Sequence, residues 1–351
     1  MRMNNDSVEL RKQISFIMNE SKRRAKQTEC IWCGKRITSF CNSHSVPQCV
    51  LKNITVEGKV DYFNSLVELP GMNIEKGLNE AGTFKLLCRE CDSKLFQEYE
   101  DIDNLGKEPT QRMLAEIAYK NVLVMLNKRY IEIEQQEVLE ETLGMPYIYD
   151  KTNQLLVKNL DIRDYGWELL RTKNIMDSDE EGDYYRLIYW KKLDYVIPIA
   201  FQGPVALYGD LNGKIVVDIY DNAESTIVKN MHVCLFPLKT ESVVFLFYHR
   251  EDQEYDAFAQ QFNSLSDAEK LQLIGYIIFE HCEDMLFAQK FPHRTWMKEK
   301  IRELFVQTTG VNLVRNVIEE EANKRRERYR LKYRDTNFPN ILDSKFAFQK
   351  E

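Results

Sequence analysis

Two C-x-x-C pairs, Cys30/Cys33 and Cys88/Cys91, stand 54 residues apart and constrain this chain more than any other feature. A C-x-x-C turn sets two sulfurs on one tetrahedral edge, and N–H groups of the turn stabilise the thiolates. Two such turns complete a four-thiolate shell around a structural Zn2+ and leave no open position. The opening MRMNNDSVELRKQ has no apolar signal core, which predicts a cytoplasmic chain, where disulfides do not persist. The separation exceeds the ~15–20 residues usual in small ribbons, so an insertion is expected between the knuckles. Buried free thiols or a redox pair are the competing readings, and the second lacks a βαβ context. Cys41 and Cys49 flank His44 and stay unassigned; Cys234 and Cys282 read as small buried hydrophobes.

At 351 residues and 44% hydrophobic, the chain can bury a full core. It has no apolar run long enough for a transmembrane helix, so no membrane role is expected. Residues 1–29 read as an amphipathic helix over 7–28, and 30–105 as the cysteine-rich module. Residues 106–143 read as a linking helix over about 108–135, N-capped by Thr110. From about 146 to 250 the signal is short strands: YYRLIYW, YVIPIAF, KIVVDIYD, HVCLFPL and SVVFLFYH, with Asn212-Gly213 as a hairpin turn and PLKTES joining two strands. The acidic run at 177–183 reads as a solvated loop. Ser266-x-x-Glu269 is a capping box opening a helix that runs through Met285, and further helices are expected at about 295–308 and 311–334. The last of these carries Lys324, Arg325, Arg326, Arg328, Arg330, Lys332 and Arg334 with interleaved Tyr329 and Tyr333. The expected class is α+β: a small N-terminal zinc module, and a strand-rich domain over 144–351 closed by C-terminal helices.

In order, the module reads Cys30-Ile-Trp-Cys33-Gly34-Lys35, then Ser43-His44-Ser45-Val46-Pro47, then Thr83-Phe-Lys-Leu-Leu-Cys88-Arg-Glu-Cys91-Asp92. It resembles the HNH (ββα-metal) endonuclease family in its zinc-knuckle form, over about a fifth of the chain. The resemblance implies a structural Zn2+, a separate catalytic Mg2+ or Mn2+, and cleavage of nucleic-acid phosphodiesters. His44 falls on the general base. Ser43 stands where the family has a carboxylate ion ligand, Thr83 where it has the orienting Asn, and Asp92 on the final ion ligand, which is a His in the family. The sequence also looks like a bacterial variant with S-H-x-x-P and C-x-x-C-[DE], in which Ser and the acidic residue are the usual state. Glu98 and Glu100 are further candidate oxygen ligands, Glu100 nearer the helical face of Asp92. Beside these roles stand plainer ones: His44 holding a local carbonyl, Asp92 capping the helix after the knuckle, and Glu98 and Glu100 as solvated charges.

Elsewhere there is no phosphate-binding G-x-x-x-x-G-K-[ST], no G-x-S-x-G and no H-E-x-x-H. His232, His249, His281 and His293 have no ligand spacing. Glu280-His281 with Glu283 and Asp284 reads as a polar helix face. The net charge of −7 hides an asymmetry: residues 1–97 hold 15 Lys and Arg against 11 Asp and Glu. DNA or RNA would therefore meet the N-terminal module and the basic C-terminal helix. The expected function is a metal-dependent HNH-type endonuclease with a mobile-element or anti-phage defence role. The alternative is an inactive zinc-ribbon adaptor that binds nucleic acid or a protein partner, the latter through the β-rich domain.

Overall fold

The computed structural model describes residues 2–63, 75–144, 151–178, 182–219, 221, 223–282, 284–296, 299, 330–335 and 337–349. Helix α1 spans Arg2–Arg24. The cysteine-rich segment follows as β1 (Ser43–His44), α2 (Gln48–Leu51), β2 (Lys59–Phe63), β3 (Glu75–Gly77), β4 (Thr83–Phe84), α3 (Arg89–Leu95), α4 (Gln97–Glu100) and α5 (Ile102–Leu105). Two long helices come next, α6 (Gln111–Leu143) and α7 (Lys151–Asp177). Strands β5 (Tyr185–Leu193), β6 (Ile199–Val205), β7 (Met231–Pro237) and β8 (Ser242–His249) precede α8 (Asp256–Asn263), α9 (Asp267–His281) and β9 (Met285–Phe287). The class is α+β.

Seven strands form one sheet in the order β3-β2-β9-β6-β7-β8-β5, with antiparallel neighbours throughout. It therefore draws strands from both sides of α6. Strands β7 and β8 are buried at every residue. This explains their unbroken apolar sequences, because a sheet covered on both faces has no solvent side to keep polar. The alternation is between two cores. Val233, Leu235, Val244 and Leu246 face α8, α9 and the 331–346 segment. Cys234, Phe236, Phe245 and Phe247 face α6, α7 and the cysteine module.

Local signals act as their chemistry dictates. Thr110 caps α6, its side chain accepting from Met113 N–H at 3.1 Å. A Thr110→Ala variant is expected to lose about 1 kcal/mol of stability by urea unfolding, the usual effect of deleting such a cap. Ser266 and Glu269 form the reciprocal capping box of α9. Cys234 and Cys282 are buried.

Several expectations need correction. Helix α7 occupies 151–177, where strands were expected. Its inward stripe includes Asp164, Glu168 and Thr172 beside Tyr165, Leu169 and Met176, so burial leaves no purely apolar stripe in the sequence. Residues 214–219 of KIVVDIYD form no strand. After the turn at Gly213 (φ 79°) only a single bridge, Gly209 to Ile215, forms. The Asp221 carboxylate then accepts from Ala223 N–H and the Thr226 hydroxyl, turning the chain away. Helix α9 stops at His281, and Met285 belongs to β9. Glu280 is buried rather than on a polar face, which pushes its pKa up to about 7. Residues 330–335 are turn and irregular chain, not helix. The rest of the expected 311–334 helix, most of 295–308, and residues 179–181 of the acidic run lie outside the described residues.

Candidate metal centre

The cage starts from two local turns. Gly34, at φ +68°, lets the chain reverse after Cys33, and its N–H returns to the Cys30 carbonyl at 2.8 Å. Cys88 sits at the N-cap of α3, and its sulfur accepts from Cys91 N–H at 3.4 Å. Backbone bonds across the insertion join the two: Ile31 N–H to Leu86 O at 3.1 Å, and Cys41 N–H to Leu87 O at 2.8 Å. Cys88 N–H also donates to the Cys30 sulfur at 3.3 Å.

The four sulfurs of Cys30, Cys33, Cys88 and Cys91 all lie within 4.8 Å of one another. Tetrahedral Zn–S bonds of ~2.3 Å would put sulfurs about 3.8 Å apart, so the donor set fits a zinc-sized thiophilic cation with little adjustment. The protonation pattern agrees. Burial opposes a thiolate at Cys30, yet the Cys33, Cys88 and Trp32 backbone donors bring its pKa down to about 7. Burial and the neighbouring sulfurs raise Cys91. One thiolate is welcome and a second is resisted, and a divalent cation removes that resistance. The cage packs on the core through Trp32, which meets Tyr119 of α6 edge-on at 5.1 Å.

Beside the cage, β1 pairs with β4 so that His44 lies opposite Thr83 and Ser43 opposite Phe84. Helix α3 follows β4 and carries Asp92 in its first turn; the cap is Cys88, so Asp92 is not the capping residue. Asp92 accepts from Ser43 Oγ at 2.5 Å and from Cys41 Sγ at 3.0 Å. Burial and that carboxylate push the Cys41 thiol up to about 11, which keeps it a donor. His44 Nε2 meets the Leu78 carbonyl at 3.0 Å and must donate to it, leaving Nδ1 with the lone pair. Burial lowers the His44 pKa, so the ring is neutral at pH 7. Thr83 Oγ1 donates to Glu80 O at 3.3 Å.

The structure thus brings Ser43, Asp92 and Cys41 together and sets His44 on the neighbouring strand position. Glu98 and Glu100 have other partners, although the charges of Glu100 and Lys120 act on His44. Glu98 accepts from Thr110 Oγ1. Glu100 pairs with Lys120, an ammonium otherwise buried against the Phe96 ring at 4.0 Å. Among the described residues the four cysteines are the only cluster arranged to hold a metal. Each Asp92 oxygen accepts one hydrogen bond, from Cys41 or from Ser43. Sequence reasoning missed Cys41 as partner of Asp92, and Lys120, whose place mid-helix gave no signal. No family profile, curated protein or solved structure matches this chain. No described helix is long and apolar enough to cross a membrane.

Proposed function

We propose that the chain is a nucleic-acid endonuclease of the HNH type, its β1–β4–α3 unit held by a structural Zn2+ on Cys30, Cys33, Cys88 and Cys91. The observation that carries this reading is the antiparallel pairing of His44 with Thr83, followed at once by the helix bearing Asp92. In this reading His44 is the general base. Its neutral ring donates Nε2–H to Leu78, which orients it, and Nδ1 takes the proton of the attacking water. Asp92 holds Ser43, and Thr83 fixes the strand opposite the base. Lys22 of α1 has its pKa lowered first by burial and then by the nearby charges of Lys76 and Lys85, which brings three positive charges together on this half of the chain. Such a cluster supports phosphate binding, with the basic C-terminal residues as a second contact. A defence or mobile-element role is the biological setting this reading favours.

The test is cleavage of supercoiled DNA and of RNA by the zinc-loaded full chain with Mg2+ or Mn2+. His44→Ala is expected to lower the rate roughly 100-fold or more. The wild-type rate should fall as His44 protonates, at a pH below the ordinary imidazole range because burial lowers its pKa. Equal cleavage by mutant and wild type would sink the catalytic role of His44. A second reading, a non-catalytic zinc-ribbon adaptor for nucleic acid or for a protein docking on the β-rich domain, is favoured by the engagement of both Asp92 oxygens. Binding without cleavage would establish it.

A further inference from the structure

On the sheet face under α6, four polar side chains from four elements form one hydrogen-bonded chain. They are Glu168 (2% exposed), His232 (1%), Asn121 (1%) and Gln202 (6%). Burial opposes the Glu168 charge, but His232, Arg171 and Asn230 outweigh it, and the carboxyl stays ionised. In the Nε2–H tautomer His232 donates to Glu168 at 3.1 Å and its Nδ1 accepts from Asn121 Nδ2 at 3.3 Å. Asn121 Oδ1 then accepts from Gln202 Nε2 at 2.9 Å. Gln202 Oε1 is left as an acceptor, buried and with no hydrogen-bond partner among the described residues. It lines a cavity of about 220 Å3 between α6 and β6. The Ser45 hydroxyl, 4% exposed, also lines it and also has no hydrogen-bond partner among the described residues.

We propose that this cavity binds a planar, amino-bearing heterocycle the size of a nucleobase, with Gln202 Oε1 accepting from its amino group and Ser45 meeting a ring nitrogen. The volume equals about seven waters and falls below the ~300 Å3 at which cofactor pockets begin, so it suits a base rather than a dinucleotide. Val124 and Met125 of α6 and Gly203 and Pro204 of β6 line it and offer apolar surface to a flat ring. The charges at the rim cancel, Lys128 pairing with Asp284 and Arg129 with Glu132, and burial holds His281 neutral. Two buried polar atoms left unanswered cost stability, and a ligand that answers both recovers it. The proposal goes beyond the nuclease reading and does not depend on it.

The base has two sources, a free base or nucleoside and the end of a strand. Calorimetric titration of the zinc-loaded full chain with adenine, adenosine, purine lacking the amino group, and a short single-stranded oligodeoxyadenylate separates them. Adenine or adenosine is expected to bind at least about tenfold more tightly than purine, because a site built to hydrogen-bond a group rejects the analogue without it. Gln202→Met should remove that preference, and Ser45→Ala should weaken binding by a smaller factor. Binding of the nucleoside assigns the free source; binding of the oligonucleotide alone, with the same Gln202 dependence, assigns the strand end. Equal affinity for adenine and purine, no binding of any probe, or wild-type affinity in Ser45→Ala and a folded Gln202→Met overturns the proposal.

Discussion

Stripping zinc from the full chain with a strong chelator is expected to lower its thermal midpoint by roughly 10 °C or more, because metal affinity in a four-thiolate site is folding free energy. The purified protein should hold about one zinc per chain. The reason lies in what the cage joins. Cys30 and Cys88 are far apart in sequence, and the backbone bonds linking their turns are few. Without the cation, four sulfurs within 4.8 Å must share protons or repel as thiolates. The hydrophobic residues beneath them, among them Val46, Val50, Leu51, Leu86 and Leu87, depend on that closure to stay buried. Hydrogen exchange should therefore show lost protection over 30–51 and 83–105, while β7 and β8 stay protected. Cys30→Ser should reproduce the effect, and zinc affinity should weaken in acid as protons compete for the sulfurs. A chain that melts unchanged after chelation, or that carries no zinc, removes the metal centre.

What the sequence discloses divides between local constraints and contacts that close over long separations. Each C-x-x-C turn is a local constraint written in three-residue spacing, so the cage was legible without knowing how the insertion runs. Thr110 and Ser266-x-x-Glu269 were legible for the same reason: a cap is satisfied by N–H groups within one turn. Strands β5 to β8 showed through their β-branched and aromatic content. Helix α7 did not, since Asp164, Glu168 and Thr172 point inward and are answered from afar, Asp164 by Val228 N–H and Glu168 by Asn230 and His232. The Cys41–Asp92 contact spans 51 residues and depends on the insertion returning in register. The cavity beside Gln202 depends on four elements meeting, and no one of them carries a motif for it.

Those inward charges give the second large effect. Arg171→Leu is expected to cost about 3–5 kcal/mol at pH 8 in urea unfolding, the usual result of removing one partner of a buried pair. Arg171 donates to both oxygens of Asp252, at 2.8 and 3.0 Å, and Asp252 is fully buried. The guanidinium also lies over the Trp167 ring, 4.4 Å from its centroid. Burial raises the Asp252 pKa, and Arg171 and then Lys229 oppose that rise. Without Arg171, the nearest cation is Lys229 at 3.7 Å, and the folded-state pKa of Asp252 climbs further above its unfolded value. The folded variant then holds a proton that the unfolded chain releases, so its stability falls as pH rises through the new folded pKa. Below that window the neutral acid stays buried at less cost, and the penalty at pH 5 should be clearly smaller than at pH 8. Adding Asp252→Asn to Arg171→Leu should recover much of the loss at pH 8, because no charge is then left behind. A penalty that is the same at both pH values would mean that Asp252 is not an ionised partner of Arg171, and the account of this buried charge layer would have to be withdrawn.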